Sequence, residues 1–247
     1  MIVWTVEKTL DGICTALFYA FTEKTFPDFI KEHGVYQPTF GDEYKNVTTD
    51  KIKAARVKTA LVKYGGEETV ERLAFCLLSC EDCALTTAFD YAALTLKQRE
   101  NVSEDLSVKA VSDFHYTVNK VLNERHRLKG FIRFKETKRG ILYAAYSPDN
   151  DITALLCPHF IARIGGAPFV IHDIKRGKAG VSDGKRFKIM EARGDAVLEL
   201  SEDEKAWENL WKNYYKAVNI KERKNLKQQD RLMPRRYRKF LPETIDF

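Results

Sequence analysis

An α+β fold, with a helical N-terminal part and an antiparallel sheet packed on helices in the C-terminal half, is predicted by three observations. Apolar residues recur at helical spacing through roughly the first hundred residues. From Gly130 onward they gather instead into short runs separated by glycine-containing turns. The composition, 44% apolar with 12% aromatic residues, is enough to fill a core.

The elements follow in order. Met1 to Val6 reads as a short strand, and Gly12 to Lys24 as a helix whose Ile13, Leu17, Ala20 and Phe21 share a face. Residues 28–47 read as loop. Asp50 is an N-cap for a helix to Tyr64, stopped by Gly65-Gly66, because a short carboxylate satisfies the open amides of a first turn and glycine tolerates the left-handed exit. Glu67 to Lys97 holds two more helices, with Ser79 and Asp82 spaced as a capping box where the second begins. Gly130 to Thr137 and Ile141 to Tyr146 form a hairpin about Lys138-Arg139-Gly140. A helix spans Ile152 to Ile164, with Pro158 either kinking it or opening a second turn. Phe169 to Ile174, Lys178 to Val181 and Phe187 to Glu191 are three further antiparallel strands. Ser201 and Glu204 form a second capping box, before a helix with Trp207, Leu210, Trp211, Tyr214 and Val218 on one face. The chain divides at residues 1–112 and 113–247, or forms one continuous domain. The longest charge-free apolar run, Gly12 to Thr22, is too short to cross a bilayer, which points to a cytoplasmic protein. Five cysteines are too few and too odd for a disulfide scaffold, so reduced thiols are expected.

Charge is unevenly placed. Residues 1–110 carry 13 Lys/Arg against 17 Asp/Glu (net −4), and residues 111–247 carry 28 against 18 (net +10). Asn219 to Phe240 alone holds nine basic and two acidic residues, and five of the nine lie in the closing segment RLMPRRYRKFLPE, residues 231–243. Such a run is either a solvated face or a contact for a polyanion, where each neutralised phosphate releases counterions.

Three motifs could carry chemistry. Cys76, Cys80 and Cys83 have the CxxxCxxC spacing of a three-thiolate cluster site, yet they fall on one helical stripe with Leu73 and Leu77, which reads as core; no cofactor and no metal is expected. In KGFIRFKET a strand would place Phe131, Arg133 and Lys135 on one face and Ile132 and Phe134 on the other. His159 and Arg163 lie four apart on a helix, whereas His172 and Asp173 are strand neighbours that point oppositely, so these two cannot form a dyad with each other and a catalytic pair has to form across elements, as His159 with Asp173 would. Nothing matches a zinc spacing, a GxSxG elbow, a phosphate-binding glycine loop or a paired-carboxylate nuclease signature.

The runs GFIRFKETKRGILYAAYSPDNDI, LLCPHFIARIGGAPFVIHDIKRGKAGVSDG, LWKNYYKAVNIKERKN and RLMPRRYRKFLPE together resemble the DUF4130 family of DNA metabolism proteins, and the opening TLDGICTALFYAFTEKTFP is similar to the start of its full-length members. The resemblance implies a part in DNA repair or modification, beside a radical S-adenosylmethionine (radical SAM) protein and, in fused members, a uracil-DNA glycosylase-like domain. It picks out Arg133, Phe134, His159, Phe160, Arg163, His172, Asp173, Arg176, Arg223, Asn225, Met233, Pro234, Tyr237 and Pro242. Arg238 stands where the family commonly has Trp.

Three functions remain open at this stage. In a nucleic-acid-binding accessory factor, Arg231, Arg235, Arg236, Arg238 and Lys239 meet phosphates, Tyr237 stacks or packs, and Arg133, Lys135, Arg163, Arg176 and Arg223 extend the surface. In a DNA-processing enzyme, His159 or His172 acts as general acid/base with Asp173. In an adaptor, the acidic N-terminal helices dock a radical SAM or glycosylase-like partner.

Overall fold

The computed structural model describes residues 1–192, 199–220 and 225–244. Its contacts divide the chain into Met1–Asn123 and Glu124–Phe247.

The first unit opens on strand β1 (Ile2–Val6), whose Val3, Trp4, Thr5 and Val6 are all buried, as a strand covered on both faces requires. Helix α1 (Leu10–Glu23) returns the chain to a parallel neighbour, β2 (Phe29–Glu32), and β3 (Glu43–Asn46) pairs parallel on the other side, giving the order β2-β1-β3. The stretch expected as loop thus contains two strands. Their sequences, FIKE and EYKN, hide the fact because edge strands held by backbone pairing bury little: only Ile30 of the eight side chains is buried.

Helices α2 (Lys51–Gly65), α3 (Glu67–Leu77), α4 (Ala84–Gln98) and α5 (Lys109–Phe131) complete the unit, α5 running on into the second. The Asp50 carboxylate accepts from the amides of Ile52 and Lys53, and Gly66 ends α2 at a φ of 85°. Ile13, Leu17, Leu61, Leu73, Phe89 and Phe114 fill the core, with the Tyr91 and Phe114 rings stacked at 3.8 Å. The chain breaks at Ser79 as expected, but the hydroxyl accepts from the Glu81 amide and α4 starts only at Ala84. The three cysteines therefore do not share a stripe: Cys76 is buried in α3, whereas Cys80 and Cys83 are exposed beyond it.

In the second unit, β4 (Lys135–Glu136), β5 (Leu142–Tyr146), β6 (Phe169–Asp173), β7 (Lys178–Ser182) and β8 (Phe187–Glu191) form one sheet in that order. The sheet is mixed: α6 (Thr153–Ile164) makes β6 parallel to β5, while the other pairs are antiparallel. Pro158 sits inside α6. The strand expected over 130–137 shrinks to Lys135–Glu136 because α5 persists through Phe131, its Val118, Val121 and Leu128 buried at helical spacing. Gly165 and Gly166, which end α6, have φ of 72° and 99°, and Gly184 in the β7–β8 turn has φ of 89°. A Cβ on Gly184 would collide with the Gly166 backbone, so the two turns interlock.

Helix α7 (Glu204–Val218) follows. The Ser201–Glu204 box does not form: the Glu204 carboxylate accepts the Glu136 amide of β4, and the buried Ser201 hydroxyl has no partner. None of the α7 residues is buried, so its apolar face is not core as its pattern suggests. Helices α8 (Leu226–Leu232) and α9 (Arg235–Arg238) and a 3-10 turn at Pro242–Thr244 close the described chain.

Candidate nucleic-acid interface

The basic terminal segment spends most of its charge on its own unit. Tyr237 is 2% exposed, packs near Phe131 and donates its hydroxyl to Glu124 Oε1 at 2.6 Å. Glu124 also accepts the Asp149 and Asn150 amides and the Asn150 side chain. Burial works against its negative charge, but the hydrogen bonds from Tyr237, Asp149 and Asn150 outweigh it and hold the carboxyl below its ordinary value. The same contact, with burial as the larger cause, pushes the Tyr237 phenol up. Arg236 pairs with Asp149 at 2.6 Å and lies over the Tyr237 ring, Arg235 pairs with Asp230 at 2.9 Å, and Arg238 pairs with Asp230 as well. In place of the family's usual Trp, Arg238 therefore ties α9 to α8. Tyr237 has no face for a base, and Arg235, Arg236 and Arg238 reach solvent as members of ion pairs.

The sheet residues behave alike. Lys135 pairs with Glu208 of α7. Arg176 is clasped by Asp173 at 2.9 Å and by the Pro148 and Asp149 carbonyls. Asp173 is wholly buried and bonded to Arg176, so it meets neither His159 nor His172. His172 finds other partners: in the neutral ring Nε2 donates to the Ala192 carbonyl at 3.0 Å, which leaves Nδ1 to accept the Tyr143 hydroxyl at 2.8 Å. Arg223 lies outside the described residues.

A different group comes together where α5 ends. Lys129, Gly130, Ile132, Arg133, Phe134, Phe160, Arg163, Ile164 and Trp211 line a cavity of about 390 Å³. Each element contributes for a local reason. The last turn of α5 delivers Lys129, and Arg133 follows it four residues on. The last turn of α6 delivers Arg163 before Gly165 reverses the chain. Phe134 sits edge-on to Phe160 at 5.1 Å and forms the apolar floor. Arg133 is held by Glu243 at 2.9 Å and by the Gly130 carbonyl, with its guanidinium 5.5 Å from the Trp211 ring centre. Trp211 donates Nε1–H to the second oxygen of the same Glu243 at 3.0 Å.

Among the described residues Lys129 and Arg163 pair with no carboxylate, and neither do Arg231 and Lys239, which stand exposed on α8 and just after α9. His159 lies beside the cleft, its ring edge-on to Phe160 and its buried Nε2 without a partner. Burial first, then the positive charges of Lys129 and Arg163, lower its pKa, so the imidazole is neutral at pH 7.

Of the expected site, the structure gathers Arg133, Phe134, Phe160 and Arg163 in one cleft with His159 beside it. Lys129, Trp211 and Glu243 escaped sequence reading. The i, i+4 spacing of Lys129 with Arg133 was the available signal for the first, and the lone acid ending a basic run was the signal for the last.

Among the described residues no group of three or more His, Cys, Asp or Glu side chains is arranged to hold a metal ion. Burial pushes the Cys76 thiol up to about 12, which removes its thiolate character at neutral pH. No described helix is long and apolar enough to cross a membrane.

Residues 84–243 match the family described as a domain of unknown function, DUF4130. No curated protein matches the chain.

Proposed function

This chain belongs to the DUF4130 family, and on that premise we propose that it is a nucleic-acid-binding accessory factor in DNA repair or modification, acting in the cytoplasm. The observation that carries the reading is the cleft at the end of α5: two cations with no carboxylate partner among the described residues, Lys129 and Arg163, line a cavity together with Phe134 and Phe160. Charges left uncompensated on a protein surface are the ones a phosphate backbone can neutralise with counterion release. Arg231 and Lys239 are further exposed cations for the same polyanion. The partners in this reading are DNA and, from the family resemblance, a radical SAM protein and a uracil-DNA glycosylase-like protein.

The test is equilibrium binding of fluorescent DNA across a salt series. Lys129→Glu with Arg163→Glu is expected to weaken binding and to make the salt dependence shallower by roughly 1.5 to 2 in log–log slope. An unchanged slope would remove the cleft from the interface. No binding at low salt would leave the adaptor role, to be checked by co-purification after nuclease digestion.

One observation favours a second reading, a DNA-processing enzyme. The Tyr143 hydroxyl that His172 accepts lines a cavity of about 570 Å³ with Lys138 and Arg139. A phenol bonded to an unprotonated imidazole nitrogen can pass its proton there. Tyr143, and not Asp173, would then be the group that works with His172. Loss of turnover in both Tyr143→Phe and His172→Gln, with DNA affinity retained, would support it.

A further inference from the structure

Helix α7 is turned the wrong way for an ordinary surface helix. Its carboxylates face the body, Glu204 on the Glu136 amide and Glu208 on Lys135. Its apolar side chains face out: Trp207 is 61% exposed, Leu210 58%, Tyr214 57% and Val218 52%. A contiguous apolar face of this size on a helix that is already anchored marks a surface built for contact.

Two features indicate what covers it. Three of the five large apolar residues on the face, Trp207, Trp211 and Tyr214, are aromatic, and Trp211 is also a wall of the cleft that holds Lys129 and Arg163. The face and the unpaired cations are therefore one continuous surface. Aromatic rings are common in protein interfaces too, but here they adjoin cations that no described carboxylate meets, and rings beside uncompensated cations suit a strand of bases joined by phosphates. We infer that α7 and the cleft bind single-stranded nucleic acid, with unpaired bases stacking on Trp207, Trp211 and Tyr214 while Lys129 and Arg163 hold the adjoining phosphates.

The geometry also sets the strand preference. The Trp211 and Tyr214 rings stand 5.7 Å apart, tilted by 35°, and Trp207 precedes them by one helical turn on the same face. Bases in a duplex are paired and stacked at roughly 3.4 Å and offer no free faces to such a ladder; an extended single strand does. The central ring is fixed in advance. Glu243, itself buried, holds the Trp211 indole N–H and the Arg133 guanidinium together, so less side-chain freedom is lost when a base arrives.

This inference rests on the nucleic-acid reading above, and one experiment separates the two. The full chain is titrated against an oligothymidine of about 16 nucleotides and against a blunt duplex of the same length at low salt. The single strand is expected to bind roughly tenfold tighter or more. Trp207→Ala, in which an exposed side chain is removed, should cost the single strand on the order of tenfold while leaving duplex affinity and melting temperature unchanged, and Trp207→Tyr should restore most of it. Equal affinity for both forms, insensitive to Trp207→Ala and Tyr214→Ala, overturns the inference and leaves the broader reading standing. Absence of binding to either form overturns both. Self-association in sedimentation that Trp207→Ala abolishes would overturn it in favour of a contact between copies of the chain.

Discussion

The terminal segment and the α5–α6 cleft are both rich in arginine and lysine, and they use those residues in opposite ways. In the segment Arg235, Arg236 and Arg238 are matched to Asp230, Asp149 and Glu124, and Tyr237 is sunk into the unit. In the cleft Lys129 and Arg163 meet no carboxylate among the described residues. A count of charges favours the segment; the pairing favours the cleft. The electrostatic footprint of a protein is set by what remains after its own acids have been served.

The contrast can be broken most forcefully at Glu124. Glu124→Ala removes the acceptor of the Asp149 and Asn150 amides, the Asn150 side chain and the Tyr237 hydroxyl, and should destabilise the fold by about 3–5 kcal/mol, read as a thermal shift on the order of 10 °C. A loss below about 1 kcal/mol would mean that the segment is held by something else. The same carboxyl predicts a pH dependence. Its pKa is lowered on folding, so its contribution is present above its ordinary value of 4.5 and fades as pH falls through the lower folded value; acid melting should be flatter in Glu124→Gln.

Tyr237→Phe removes one hydrogen bond to that carboxylate and should cost about 1.5–3 kcal/mol of stability, with DNA affinity unaltered once both proteins are folded. A selective loss of affinity would return the segment to the interface. His159 sharpens the other side of the comparison without touching the fold. Proton NMR should find it titrating below its ordinary value of 6.5 in the free protein and moving upward when a phosphodiester offsets Lys129 and Arg163. A pKa that ignores the ligand would place the phosphate elsewhere. Smallest of all is Arg235→Ala: the pair with Asp230 is exposed, so melting temperature and DNA affinity should both stay unchanged within measurement error.

Much of the fold is legible in the sequence where local chemistry decides. The Asp50 cap, the Gly65-Gly66 stop and the three strands from Phe169 to Glu191 are all in the structure. Where non-local partners decide, the sequence misleads. FIKE and EYKN become strands only because Ile2–Val6 lies between them, and the helix runs on through Lys129–Phe131 because Val118, Val121 and Leu128 have already committed α5 to a buried face. The site follows the same division. Arg133, Phe134, His159 and Arg163 could be singled out as residues, but that Arg163 stays unpaired while Arg176 is clasped by Asp173 depends on neighbours 30 or more places away for the first and on a loop carbonyl pair for the second. Trp211 could be placed on the apolar face of an amphipathic helix, but the pattern does not say which way that helix is turned.

The interlocking of Gly184 with Gly166 orders events in time. A hairpin such as β7–β8 closes within roughly 1–10 μs on its own. It reaches its final seat only when the turn ending α6 has already taken its left-handed shape, since only bare backbone fits between them. A side chain at Gly184 would therefore meet two obstacles, a strained φ of 89° within the hairpin turn and the Gly166 backbone at the docking step, so it should both slow folding and speed unfolding.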